Sequence, residues 1–239
     1  MEKNGVLFFS VIIPAHNEEG YIDRTLASLR DIDYPRDRYE VIVVENGSTD
    51  RTREIIDEYA STSLKRMSIG EASVSKARNQ GMLLLSRLSE WVIFLDADTS
   101  LGTAFFRELD LFLQKNAGRD LGSGMVSLLP DPDSRLARGW YRFYNLANRL
   151  TGTTRSIQCI RRDLLNGIRY DESLTFGEDT RMLRDCNRRS RHFYLKTTSV
   201  FSSTRRFQKR GWMRQLFSWI YLTALPYEKK RSTRYTVIR

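Results

Sequence analysis

Trp91-Val92-Ile93-Phe94-Leu95-Asp96-Ala97-Asp98 is the stretch whose reading decides the fold. Five apolar residues, two of them β-branched and two aromatic, run directly into two carboxylates one residue apart. So short and apolar a run predicts a strand buried on both faces. The aspartates then stand where that strand becomes a loop. Carboxylates at i and i+2 suit a hard divalent cation, magnesium or manganese, that takes few protein oxygens and completes its shell with substrate phosphates. The same pair also reads as a turn that caps a helix starting near Gly102. The neighbouring segments therefore carry the decision.

Upstream, Phe8 to Ile13 predicts a first buried strand, stopped by Pro14 and followed by a polar loop, Ala15 to Gly20. Tyr21, Leu26 and Leu29 then fall at helical spacing. Tyr39 to Val44 predicts a second strand, which exits into Glu45-Asn46-Gly47-Ser48-Thr49-Asp50 and a helix with Ile55, Ile56 and Tyr59 on one face. Leu64 to Ile69 predicts a weaker third strand. Ala72 to Leu88 predicts a helix with Val74, Ala77, Met82 and Leu85 inward. This alternation predicts a mostly parallel α/β sheet with helices on both faces. Such sheets bind ligands at the carboxyl ends of their strands, at the topological switch point. Three polar segments, Pro14–Glu18, Glu45–Asp50 and Asp96–Asp98, are thereby expected at one edge. The first strand is not followed by Gly-x-Gly-x-x-Gly, and the chain has no Walker loop. Phosphates here must be held by a metal and side chains, not by a glycine cradle.

Downstream, a helix is expected over Thr103 to Gln114, a strand over Gly124 to Leu129 and a loop at Pro130 to Asp133. Ser134 to Leu150 predicts a helix that mixes Trp140, Tyr141, Phe143 and Tyr144 with four arginines, a mixture suited to lining an acceptor site for a lipid phosphate. A strand at Ile157 to Ile160 follows. Phe176-Gly177-Glu178-Asp179-Thr180 opens a further helix with Met182, Leu183 and Cys186 as its apolar stripe.

At 239 residues and 41% hydrophobic, the chain can bury a full core. Cys159 and Cys186 are too few for a disulfide framework or a metal knuckle, and are expected as semi-buried thiols in a reducing compartment. No signal peptide precedes the first strand, and no run reaches the roughly 18 apolar residues of a spanning helix. The expectation is a cytoplasmic chain. Its net charge of +10 is uneven: residues 201–239 hold ten Lys/Arg against Glu228 alone, leaving the first 200 residues near neutral. A basic, aromatic stretch over 204–239 fits an anionic membrane surface on the inner face of the cell membrane. It also fits a helix that packs its apolar face on the domain. Nucleic acid is not an expected partner, because no binding module accompanies the charge.

Five motifs in order resemble family 2 glycosyltransferases, inverting enzymes of the GT-A fold: Val11 to Glu18, Val43 to Asp50, Ser75-Lys76-Ala77-Arg78-Asn79-Gln80-Gly81, Leu95 to Asp98, and Tyr170-Asp171-Glu172 with Gly177 to Thr180. The resemblance spans roughly residues 8–190. It implies a transferase domain over 1–200, with a donor half at about 8–100 and an acceptor half at about 101–200, followed by the basic extension 201–239. It implies nucleotide contacts from Pro14, Ala15, His16, Asn17, Glu18, Glu45, Asn46, Arg78, Asp96 and Ala97, and Mg2+ or Mn2+ on Asp96 and Asp98. Asp179, with Glu178 beside it, would take the proton from the acceptor. The donor would be a nucleoside diphosphate sugar, a UDP-sugar in first place, although the usual second acid of the base-recognition turn is here Asn46. The acceptor would be a sugar or a lipid-linked group. Processive members carry Gln-x-x-Arg-Trp, whereas Gln208-Lys209-Arg210-Gly211-Trp212 has its arginine out of register, which implies transfer of a single sugar. Two other classes stay open: a sugar-phosphate nucleotidyltransferase, which normally needs a glycine-rich basic loop after the first strand, and a catalytically silent nucleotide- or glycan-binding module.

Overall fold

The computed structural model describes residues 5–60, 64–151 and 157–225. In chain order the elements are β1 (Phe9–Ala15), α1 (Ile22–Arg30), β2 (Tyr39–Asn46), α2 (Thr52–Glu58), β3 (Leu64–Ile69), α3 (Val74–Leu83), β4 (Trp91–Leu95), β5 (Thr99–Leu101) and α4 (Phe105–Lys115). They continue with β6 (Leu121–Val126), β7 (Leu129–Asp131), α5 (Arg135–Thr151), β8 (Ile157–Arg161), α6 (Glu178–Asn187), β9 (Arg191–Leu195), β10 (Val200–Ser203), α7 (Arg205–Arg210) and α8 (Trp212–Ala224).

Seven strands form the main sheet in the order β3-β2-β1-β4-β8-β6-β9. The first four are mutually parallel; β8 runs antiparallel to both its neighbours, and β9 is parallel to β6. The sheet is thus mixed α/β and mostly parallel, with helices on both faces. Alternation along β1 explains the two layers: Phe9, Val11 and Ile13 join the core beneath α1 and α4, while Ile12 joins a second cluster with Ala77, Met82, Phe94 and Met182. The chain builds β2 and β3 on one side of β1, then crosses over through α3 to lay β4 on the other. The switch point therefore falls between the exits of β1 and β4. A small second sheet, β5-β10-β7, clamps the segment after the aspartates. Ser203 N–H donates to the carbonyl of Asp98 and Thr25 Oγ1 to that of Ala97.

Several expectations change. The α3 helix is shorter than 72–88, and Val74 faces outward at 37% exposure while Ala77 and Met82 are buried. Ser73 Oγ caps it by accepting from Lys76 N–H, which fixes its start beyond Ala72. The strand expected over 124–129 is two, β6 and β7, with Pro130 and Asp131 inside the second. The aromatics of α5 mostly face the protein: Tyr141 is buried, and Trp140 packs on Trp212 and Phe207. Cys159 and Cys186 are fully buried, not semi-buried. The basic stretch forms two helices, broken at Gly211 with φ 82, a backbone angle that glycine adopts without steric cost. Their apolar face packs on the domain through Phe207, Trp219 and Leu222. Residues 226–239 of that stretch lie outside the described residues. No described helix is long and apolar enough to cross a membrane.

Candidate active site

A cavity of about 460 Å3 opens at the switch point. Of the residues expected at the site, it gathers Pro14, His16, Glu18, Asn46, Arg78, Asp96, Ala97, Asp98, Glu178 and Asp179 on one wall or another. Ala15, Asn17 and Glu45 do not line it. Asn17 and Glu45 instead lock the two loops that do: Thr49 N–H donates to Asn17 Oδ1 at 2.8 Å, and Ser48 N–H donates to Glu45 Oε1 at 2.5 Å. His16 Nδ1 lies 2.6 Å from the carbonyl of Asn46 and holds the loop after β1 against the end of β2.

Arg78 is the hub. Its side chain is only 3% exposed. Nη1 donates to Asp179 Oδ1 at 2.5 Å and Nη2 to Asp96 Oδ1 at 3.0 Å; Glu178 Oε1 stands 3.8 Å away. The Tyr170 ring covers the guanidinium at 5.0 Å. Burial works against its charge, but the carboxylates of Asp179, Asp96 and Glu178 outweigh it and hold the pKa above the ordinary arginine range. A planar, permanently charged fork is the side chain that can serve two carboxylates at once.

Packing delivers the arginine. A Cβ added at Gly81 would lie 2.6 Å from Ile12 Cγ2, so glycine lets α3 approach β1 closely. Asn79, the next residue of the motif, staples the segment before α6: its Nδ2 donates to Tyr170 O and Glu172 Oε1, and its Oδ1 accepts from Tyr170 N–H. Gly177, at φ 83, then turns the chain so that Glu178 and Asp179 open α6. Gln158 on β8 donates to Asp179 Oδ1 at 3.1 Å and accepts from the Tyr170 hydroxyl.

The acids that follow β1 and β4 are crowded. Burial and the neighbouring Asp98 push the Asp96 carboxyl up to about 7 against the pull of Arg78. Burial likewise raises Glu18, whose Oε2 is buried with no hydrogen-bond partner. Arg205 answers both Glu18, at 2.6 Å, and Asp98, at 3.2 Å, while lying 4.4 Å from the Tyr21 ring centre. Arg206 lines the same cavity. Behind the aspartates a further cavity of about 50 Å3 is shared by Tyr141, Tyr144, Phe207 and Trp219.

Arg205 and Arg206 are site residues that sequence reasoning missed. They sit in the basic extension, where charge density drew attention to a membrane. The available signal was their position directly after the strand-like Val200-Phe201-Ser202-Ser203.

No group of three His, Cys, Asp or Glu side chains among the described residues is arranged to hold a metal ion. The chemistry of the side chains nonetheless suits a hard cation. Asp96 and Asp98 offer oxygen donors only, and the orphaned Glu18 oxygen adds an acceptor that no protein donor satisfies. A cation held here would draw the rest of its shell from phosphate and water.

The model of the family described as Glycosyl transferase family 2 matches residues 10–217. Poly(ribitol-phosphate) beta-N-acetylglucosaminyltransferase TarS of Staphylococcus aureus is 31% identical over 109 residues, which are 45% of this chain and 19% of TarS. Minor teichoic acid biosynthesis protein GgaA of Bacillus subtilis is 26% identical over 193 residues, which are 72% of this chain and 41% of GgaA. The chain thus spans about a fifth of TarS and under half of GgaA. Among solved structures, S. aureus TarS 1–349 in complex with UDP-GlcNAc superposes with a TM-score of 0.69 at 24% identity, over 83% of this chain and 59% of that one. Mannosyltransferase PcManGT from Pyrobaculum calidifontis, in complex with GDP-Man and Mn2+, gives a TM-score of 0.63 at 22% identity, over 84% and 57%. These likenesses show a common GT-A fold. With the match running from β1 to α8, this chain belongs to glycosyl transferase family 2.

Proposed function

We propose that the chain is an inverting, divalent-metal-dependent glycosyltransferase. It moves one sugar from a nucleoside diphosphate sugar, a UDP-sugar in first place, to an acceptor hydroxyl or phosphate that is sugar- or lipid-linked. The observation that carries this reading is the Arg78 bridge, which ties a carboxylate of the Asp-x-Asp pair to Asp179 across one cavity. The UDP-GlcNAc bound by TarS favours uracil, and the Mn2+ bound by PcManGT favours a metal.

In this reading Asp96 and Asp98 would hold Mg2+ or Mn2+, which would supply Lewis-acid stabilisation to the departing diphosphate. Arg205 and Arg206 add positive charge on the same side. Asp179 takes the proton from the acceptor oxygen as that oxygen bonds to the anomeric carbon. The bond from that carbon to the diphosphate oxygen breaks, and its electron pair leaves with the diphosphate. One displacement from the opposite face inverts the centre. A positioned base contributes roughly 10²–10⁴-fold. Arg78 and Gln158 aim Asp179, and Tyr170 shields the pair from water. A lipid-linked acceptor would reside in an anionic membrane, and the basic extension is the part of the chain charged to meet one.

The test is calorimetric titration with UDP and with GDP, each with and without Mn2+, followed by a transfer assay. Manganese-dependent UDP binding with turnover is the expected result. A GDP preference would move the donor and keep the reaction. Binding without turnover on any acceptor would favour a silent module.

A further inference from the structure

Twelve large apolar side chains are exposed among the described residues, and seven of them stand on just two helices. On α5 these are Leu136 at 62%, Phe143 at 52%, Leu146 at 55% and Leu150 at 77% exposure. Their spacing of seven, three and four residues puts them on one face of the helix. On α8 they are Met213, Phe217 and Tyr221, spaced by four. The two helices are joined by Trp140 on Trp212 and Tyr144 on Trp219, so each turns its other aromatics inward and leaves these rows outside the contact.

The charge on the same elements is one-sided. Helices α5 and α8 contain five Lys/Arg and no Asp or Glu. At the density of the whole chain their 30 residues would carry about four acids. Arg142, Arg149 and Arg214 are exposed beside the apolar rows, as is Arg138, which pairs with Asp133 at 3.3 Å.

We propose that α5 and α8 together form the face by which this protein docks on an anionic lipid bilayer, with the leucines and phenylalanines entering the headgroup boundary and the arginines meeting lipid phosphates. A polyanion such as nucleic acid or an anionic glycan would use the arginines and gain nothing from exposed leucines. A bilayer uses both, because arginine-flanked apolar rows gain from charge and hydrocarbon together. A consequence follows for the site: α7 and α8 also carry Arg205, Phe207 and Trp219, which adjoin the aspartate loop, so docking would bring the donor cavity close to the lipid surface. The docking face rests on the transferase reading only for its purpose. It stands on exposure and charge alone.

The experiment is co-sedimentation of the full chain with phosphatidylcholine vesicles, with and without phosphatidylglycerol, for the native protein, for Leu146→Ser/Leu150→Ser and for Arg142→Gln/Arg214→Gln. The native chain should pellet with the phosphatidylglycerol vesicles. The serine pair should weaken that partitioning about tenfold or more at unchanged charge, since two buried leucines are lost. Each arginine removed should cost about fivefold. Unaltered melting of both variants would show that the fold is intact. Three outcomes would overturn the proposal: no binding to anionic vesicles, binding unaffected by the serine pair, or a self-associated native chain that the serine pair makes monomeric. Transfer to a soluble acceptor, measured in parallel, separates failure of docking from failure of the transferase reading.

Discussion

Arg78 donates to Asp179 Oδ1 at 2.5 Å with one arm of its guanidinium while the other reaches Asp96, so residues 101 positions apart are held in one charge network. The order is alternating: Asp96, Arg78, Asp179, with Arg205 repeating the pattern between Glu18 and Asp98. Arg78 itself is only 3% exposed, so its charge is matched by these carboxylates and not by water.

Removing that cation should therefore be costly. Arg78→Ala leaves buried carboxylates uncompensated, a loss of about 3–5 kcal/mol in comparable pairs. For a chain of this size that lowers the melting temperature by roughly 6–20 °C. Arg78→Lys keeps the charge but cannot span both partners. It should recover most of the stability and little of the transfer rate, as read by calorimetry and an initial-rate assay on the same preparation. Equal melting of Arg78→Ala and the native chain would break the account of the hub.

Gly81 offers a test in which two effects oppose each other. Alanine in a helix gains about 1 kcal/mol over glycine. Here its Cβ would lie 2.6 Å from Ile12 Cγ2, inside a fully buried strand, and overpacking costs about 1–3 kcal/mol. Packing should win. Gly81→Ala is expected to lower the urea midpoint, whereas a raised midpoint would mean that α3 can move off β1.

Much of this was legible in the sequence because the signals were local. The buried strands, the order of motifs and the gathering of three strand exits follow from apolar runs and the switch-point rule. The partners of Arg78 were not legible. One of its arms goes to a residue brought near by β8 and α6, and no spacing rule links positions 78 and 179. The role of Glu45 was read from a motif, whereas the structure shows its carboxylate closing its own turn on Ser48. The charge of the extension did not reveal the place of its first residues. Its first two arginines enter the cavity because β10 pairs with β5 and β7, a long-range contact with no local signature.

The Asp96 carboxyl, raised to about 7 by burial and by Asp98, gives a pH dependence with a defined sign. Its folded pKa lies above its unfolded one, so the folded chain binds the extra proton. The stability from that group is present below about pH 4 and is lost as pH rises toward 7. A cation competes with the same proton. Mn2+-dependent UDP affinity should therefore increase with pH and level off above about 7. Asp98→Ala should remove the manganese dependence at every pH. Titration calorimetry across that range checks both, and a flat profile in the native protein would contradict the assignment.

Burial pushes the thiols of Cys159 and Cys186 up to about 12. Both should be inert to a disulfide reagent in the folded chain and react fully in denaturant. Rapid labelling of either thiol in the native protein would show that the β4–β8 region or the α6 face opens readily.

The claim at the centre is that Asp179 is the base and Arg78 aims it. Asp179→Asn keeps the shape and loses the proton acceptor. The measurement is manganese-dependent UDP binding and sugar transfer on that one variant. The account predicts native donor affinity with transfer reduced about 10²–10⁴-fold. Native transfer by Asp179→Asn would contradict it and return Asp179 to a structural role at the start of α6.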